Sequence, residues 1–315
     1  MRQLRIVFMG TPDFAVASLQ ALVENKYAVV GVITAPDKPA GRGRAMKESA
    51  VKKYASDQRI PILQPPNLKN DSFLKELKSL NANLQVVVAF RMLPKVVWSM
   101  PLYGTFNLHA SLLPAYRGAA PINWAIINGE EKTGVTTFFI DEKIDTGAII
   151  LQEECPISHD DTAGTLHDKL MIMGAALVLK TVLLIQNDTV KTLNQKELPA
   201  IKEAPKIIKE TCMIHWDQPV EAVYNHIRGL SPYPAAWTTL ISNKDSFYLK
   251  IYDVTLEKTE HKLNPGTLLS DKDSMKVAAK GGYVYLNQIQ LPGKRKMAVK
   301  DVLNGLKLDP KAYVL

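Results

Sequence analysis

The residues best equipped for chemistry lie close together near the middle of the chain. Phe106-Asn107-Leu108-His109-Ala110-Ser111-Leu112-Leu113-Pro114 runs directly into Ala115-Tyr116-Arg117-Gly118. If Thr105 to His109 is a strand, Asn107 and His109 stand two apart and project from one face. An amide donor and an imidazole aimed at one place could stabilise an oxyanion and handle a proton, which is what acyl transfer to an amine requires. On spacing alone, a strand end whose polar side chains merely satisfy backbone groups explains the pair equally well. A third group shifts the balance. Ile140-Asp141-Glu142-Lys143-Ile144-Asp145-Thr146-Gly147 is a carboxylate-bearing loop directly after an expected strand, and ligand sites of open α/β sheets gather outside the carboxyl ends of strands. Asp145 could there orient His109, while its plainer reading is a turn residue before Gly147.

These side chains need a scaffold, and the hydrophobic patterning supplies one. Leu4 to Met9 is a compact apolar run ending at Gly10-Thr11-Pro12, where Thr11 can cap and Pro12 can open a helix through Leu19 and Leu22. Tyr27 to Thr34 reads as a second strand leading into a polar, glycine-bearing loop from Asp37 to Met46. Further strands are expected at Leu84 to Phe90, Thr105 to His109 and Val135 to Ile140, with helices at Ser72 to Leu80 and Pro121 to Asn128 between them. Such alternation implies a mostly parallel sheet covered on both faces. Thr162 to Ile185 closes this layer as a long helix, capped by Asp161 or Thr162, with Leu166, Leu170, Met173 and Leu177 along one face. Polar and proline-bearing sequence then marks a linker over 189–208. Beyond it, a helix near Val220 to Ile227 and short β-rich runs at Ala236 to Ile241, Phe247 to Thr255, Lys276 to Ala279 and Tyr283 to Gln290 suggest a small barrel.

Composition narrows the function classes. The 315 residues, 46% apolar and 22% charged, suit two globular domains. A single glycine at Gly10 cannot make the three-glycine dinucleotide fingerprint, and no phosphate-loop, HExxH or GxSxG motif is present. The two cysteines, Cys155 and Cys212, have no metal-ligand spacing, so no metal is expected. The apolar run after Arg5 is too brief for a signal peptide, and Leu170 to Ile185 is broken by Lys180, so a cytoplasmic protein away from membranes is expected. Net charge is +8 (39 basic, 31 acidic) and is unevenly spread: 16 basic and 11 acidic residues fall in 204–315, and six basic against two acidic in Asp37 to Lys53. A polyanionic partner fits that distribution.

The run NLHASLLPAYRG, with Asp145 in IDEKIDTG, resembles the tetrahydrofolate-dependent formyltransferases, whose signature is an Asn, a His and a distant Asp beside SLLPxYRG. Similarity to the branch acting on methionyl-tRNA covers essentially the whole chain, through FMGTPDFA, APDKPAGRGR, DTAGTLHDKL and IHWDQPVEAVYNHIRGLSPYPAAW. The resemblance implies an α/β, Rossmann-like, mostly parallel formyltransferase domain over 1–188, then a small OB-like β-barrel over 209–315 that binds tRNA. It implies transfer of a formyl group from 10-formyltetrahydrofolate to the methionine amine of initiator methionyl-tRNA by a monomer. Asn107, His109 and Asp145 would be catalytic, Ser111, Leu112, Leu113 and Pro114 would line the tetrahydrofolate site, and Lys38, Arg42 and Arg44 would meet tRNA. Basic residues of the barrel such as Lys294, Arg295, Lys296 and Lys300 would extend the tRNA surface. One departure is Arg91 after Phe90, where relatives often carry glycine, which would reshape or charge the rim of the folate site. A rival with the same trio formylates a small amine, and a rival of another kind binds RNA without catalysis.

Overall fold

The computed structural model describes residues 1–40, 45–195, 202–243 and 245–315, and the chain forms two compact units. The first takes residues 1–118, 133–155 and 167–203, and the second takes 119–132, 156–166 and 204–315. In chain order the elements begin β1 (Arg5–Gly10), α1 (Asp13–Glu24), β2 (Ala28–Ile33), β3 (Lys38–Ala40), β4 (Ala45–Lys47), α2 (Ala50–Asp57), β5 (Ile62–Leu63) and α3 (Asp71–Ser79). They continue with β6 (Leu84–Val88), α4 (Lys95–Trp98), β7 (Thr105–His109), β8 (Arg117–Gly118), α5 (Pro121–Ile127), β9 (Lys132–Phe139), β10 (Ile149–Pro156), α6 (Ala163–Gln186) and β11 (Glu203–Ala204).

Seven strands of the first unit form one sheet in the order β10-β9-β7-β6-β1-β2-β5. The pairings β2–β5, β1–β2, β1–β6 and β6–β7 are parallel, as the β/α alternation implies. The β7–β9 pairing is antiparallel, with Phe106 opposite Phe139 and His109 opposite Thr136. This reverses one sequence-based inference. The carboxyl end of β9 lies beside the start of β7, so the loop bearing Asp145 leaves from the edge away from His109.

Two local details also differ from the patterning. The cap position of α1 falls on Pro12, which offers no side-chain hydrogen bond, so Thr11 sits one residue too early to cap. The flanks of the basic loop pair as a short antiparallel hairpin, β3 with β4. Gly10 is required by packing: a Cβ there would stand 2.6 Å from Ala15 Cβ and 3.0 Å from the Val88 carbonyl oxygen. Helix α6 starts as its sequence implies, with Thr162 Oγ1 accepting from the Thr165 amide at 3.1 Å and Thr165 Oγ1 donating to Asp161 at 2.9 Å. Leu166, Leu170 and Leu177 are buried along it, while Met173 is half-buried. Among the described residues no helix is long and apolar enough to cross a membrane.

The second unit contains α7 (Val220–Leu230), β12 (Ala236–Ser242), β13 (Asp245–Lys258), β14 (Leu268–Ser270), β15 (Met275–Ala279), β16 (Gly282–Gln290), β17 (Met297–Ala298), α8 (Val299–Leu303) and β18 (Tyr313–Val314). Its sheet runs β14-β15-β16-β13-β12-β18, and an antiparallel bridge between Thr267 and Tyr313 joins the two ends into a nearly closed barrel. Closure leaves few unpaired backbone groups at an edge. Alternate residues of β12 and β13, among them Leu240, Leu249 and Ile251, fill the interior, and α7 adds Val220, Val223, Ile227 and Leu230. Ile227 is fully buried in that core. Ile227→Ala is expected to lower unfolding free energy by about 2–5 kcal/mol, measured by urea titration of the full chain.

Candidate active site

Across the sheet, register aligns Leu63, Ile33, Met9, Val87, Asn107 and Phe138 on neighbouring strands. Five of the six are buried and apolar. Helices α3 and α4 cover much of this face through Phe73, Leu77 and Val97. Asn107 is the polar exception. It is half-buried, and its side chain makes no hydrogen bond to another described residue. An amide left without a partner in an apolar row costs about 1–3 kcal/mol if water is withdrawn from it. Its retention on this face therefore points to a ligand group that accepts from it.

His109 stands two residues further along β7 and is buried. Its Nε2 lies 2.8 Å from the Tyr116 carbonyl oxygen. A carbonyl can only accept, so Nε2 carries a proton and, in the neutral ring, Nδ1 carries the lone pair. Nδ1 faces Asp145 Oδ2 at 3.9 Å, with side-chain exposures of 7% and 14%. Protonation at Nδ1 would thus place an imidazolium beside a poorly solvated carboxylate, where the attraction is weakly screened.

The carboxylate gets there because its loop folds back over the sheet. Four residue steps along β7 take the chain from Thr105 to His109, about 13 Å at the usual strand rise. Asp141 Oδ1 tightens the turn by accepting from the Lys143 amide at 3.0 Å and Thr146 Oγ1 at 2.8 Å. Asp145 itself has φ of 54°, a left-handed conformation that aspartate tolerates better than most residues. The Gly118 amide donates to Asp145 Oδ2 at 3.0 Å. Gly147 allows the return strand to close, since a Cβ at that position would stand 1.7 Å from the Phe139 carbonyl oxygen.

Beside this trio, Ser111 to Pro114 form a turn with a cis Leu113-Pro114 bond. Thr136 Oγ1 donates to the Ser111 carbonyl at 2.6 Å and accepts from the Leu113 amide at 3.2 Å and Gln152 Nε2 at 3.0 Å, which uses its full hydroxyl capacity. Gln152 also donates to the Leu113 carbonyl at 2.8 Å. Ser111 Oγ is committed to the Ala115 carbonyl at 2.7 Å, Leu113 is buried against Phe138 and Ile149, and Leu112 and Pro114 are half-buried. Thr136 and Gln152 escaped the sequence reading because a threonine and a glutamine inside strands carry no motif; only pairing shows what they hold. The Arg91 guanidinium binds the Pro65 and Pro66 carbonyls, the latter at 2.9 Å, with its carbon 5.7 Å from the Phe90 ring centre.

Of the residues expected to meet tRNA, Lys38 is exposed at the start of the β3–β4 hairpin, whereas Arg42 and Arg44 lie outside the described residues. The hairpin base is anchored. Asp37 pairs with Lys52 and accepts from Gln64 Nε2 at 2.8 Å, Lys52 also meets Glu48 at 2.9 Å, and Ser49 caps α2. The Lys52 hydrogen bond, ahead of that from Gln64, holds the Asp37 carboxyl below its usual range, and the same bond to Asp37 raises Lys52. A depressed acid stabilises above its unfolded pKa and loses the effect as pH falls through the folded value; the raised lysine stabilises below its unfolded value and loses the effect as pH rises through the folded one. Thermal melts should therefore show a constant stability deficit in Asp37→Asn between about pH 5 and pH 9, vanishing only in strong acid or strong base.

The chain belongs to the formyl transferase family. The family model described as Formyl transferase matches residues 4–182, and that described as Formyl transferase, C-terminal domain, matches residues 206–307. Within that class, the chain is 56% identical over 314 residues to the methionyl-tRNA formyltransferase of Flavobacterium johnsoniae, with 100% of each chain covered. It is 54% identical to the enzyme of the same name from Bacteroides thetaiotaomicron, over 97% of this chain and 96% of that one. In fold it is similar to an N-formyltransferase of Helicobacter canadensis solved with folinic acid and dTDP-3-aminofucose, at TM-score 0.66 and 22% identity, covering 90% of this chain and 98% of that one.

Proposed function

We infer that the chain transfers the formyl group of 10-formyltetrahydrofolate to the free amine of methionine on initiator methionyl-tRNA, giving the N-formylated aminoacyl-tRNA used to begin translation. Full-length identity above 50% to enzymes of that name supports the acceptor. The observation that carries the chemistry is an Asn107 amide with no side-chain partner among the described residues, next to a His109–Asp145 pair.

The donor supplies an electrophilic formyl carbon, and this chain's residues supply position, charge and a proton path. Asn107 is the hydrogen-bond donor for the formyl oxygen as negative charge builds there. His109, whose Nε2 proton is held by Tyr116, offers Nδ1 to take the proton shed by the attacking amine. Asp145 stabilises the imidazolium so formed, which returns the proton to the folate nitrogen as the bond between that nitrogen and the formyl carbon breaks, releasing tetrahydrofolate. The turn from Ser111 to Pro114, with Leu112 half-buried, fits the apolar body of tetrahydrofolate and meets its polar edges with backbone groups.

In this reading residues 1–188 carry catalysis, 189–208 link, and 209–315 present a basic barrel to tRNA, with Lys38, Arg42 and Arg44 of the first part meeting the acceptor end. One chain carries the whole trio, which supports a monomeric enzyme, and a tRNA acceptor supports action in the cytoplasm. Labelled formyl should pass from 10-formyltetrahydrofolate to charged initiator tRNA when free methionine and a small amine compete; label only on the small amine would reject the acceptor. Asn107→Ala should lower kcat by about 10²–10³-fold while the protein stays folded. Arg42→Ala should raise KM for tRNA several-fold and leave that for the folate donor unchanged, read from steady-state kinetics with each substrate varied.

A further inference from the structure

Asp145 is held by more than its own loop. Gln195, from the polar stretch after α6, donates its side-chain amide to two backbone carbonyls of the loop, that of the functional residue itself and one two residues on: Asp145 O at 2.9 Å and Gly147 O at 2.9 Å. Its own Oε1 accepts from Arg117 Nε at 3.1 Å and Arg117 Nη2 at 2.5 Å. The next residue, Gly118, donates its amide to Asp145 Oδ2 at 3.0 Å. The contacts close a ring: Arg117 to Gln195, Gln195 to the Asp145 backbone, the Asp145 carboxylate to Gly118, and Gly118 back to Arg117. Gln195 is itself placed by Leu193, whose backbone exchanges two hydrogen bonds with Ile149 at 2.8 and 2.9 Å.

The geometry points to Gln195, gripped by Arg117, as a positioning residue that sets the Asp145 carboxylate against His109. This rests on the trio proposed above. The physical need is specific. Asp145 has left-handed backbone and sits in a loop that must fold back from the far end of β7. A carboxylate so placed is steadied when its own peptide carbonyl and the backbone running on from it to Gly147 are tied. A primary amide with two N–H groups can tie both carbonyls at once, and its oxygen takes the two parallel N–H groups of one guanidinium edge. No carboxylate or hydroxyl could replace it, because neither offers two donors.

The test is steady-state formyl transfer by the full chain. Gln195→Met, and the near-isosteric Gln195→Glu that keeps an acceptor for Arg117 but loses both donors, should each lower kcat by about 10²-fold, the loss expected for misplacement of a catalytic group by about 1 Å. KM for both substrates should stay within about threefold, since the Gln195 side chain spends its hydrogen bonds on Arg117, Asp145 O and Gly147 O. The cycle with Asp145 separates positioning from general support. In an Asp145→Ala background, adding Gln195→Met should cost nothing further, because the group it positions is gone. Additive losses, or full activity of Gln195→Glu, would overturn the inference. If Gln195→Met does not fold, Gln195→Glu carries both arms. An inactive Asp145→Ala beside a fully active Gln195→Glu would sink this inference alone, whereas a fully active Asp145→Ala would sink the trio and this inference together.

Discussion

A carboxylate has to be kept beside a buried imidazole, on backbone that starts from the wrong end of the strand carrying that imidazole. Much of the first unit serves that requirement. The antiparallel β9 places Phe139 next to Phe106, so residues 141–147 have to fold back before Asp145 can face His109. The fold-back is stabilised by the Asp141 turn, the close passage at Gly147 and the Gly118 amide. Only the last of these involves the Asp145 side chain. The Asp141 turn and the passage at Gly147 would persist without the Asp145 side chain, while the Gly118 contact would be lost with it.

The strand bearing Asn107 and His109 illustrates how a site is cut into a core. Neighbouring parallel strands place apolar side chains in register with Asn107, and helices α3 and α4 seal much of that face. The face is dry enough for an amide to matter, because a hydrogen bond to developing charge strengthens as water is excluded. His109 is treated differently. One nitrogen is tied to the Tyr116 carbonyl, which fixes the ring and its tautomer and leaves the other nitrogen toward the carboxylate. The two polar residues of one strand are therefore differently equipped: Asn107 presents an amide to the face, and His109 presents a lone pair toward Asp145.

The second unit obeys a separate logic. Its strands close end to end, its interior is filled by alternate residues of β12, β13 and β16, and α7 plugs the apolar core. Around that core, aromatic and basic side chains meet: Trp237, itself packed against the core, stacks on Tyr248 with ring centres 4.9 Å apart, and Lys296 lies over the Tyr252 ring at 5.3 Å. A surface of that composition suits a phosphate-rich partner.

The sequence by itself determined the strand Thr105 to His109, the shared face of Asn107 and His109, the long helix α6 and the β-rich end of the chain. These are properties of period two, period 3.6 and local capping, and each is written in neighbouring residues. It also pointed to Asn107, His109 and Asp145, through motifs that match a family over most of the chain. Tertiary structure decided the rest. The direction of β9 depends on which edge of β7 was free, and no local pattern records that. Thr136, Gln152 and Gln195 look like ordinary polar residues, and Gln195 falls in a stretch whose composition reads as linker. Their roles come from partners 16 to 78 positions away. A hydrogen bond between such distant residues leaves no periodicity behind it, so only the folded chain shows that they hold the site together.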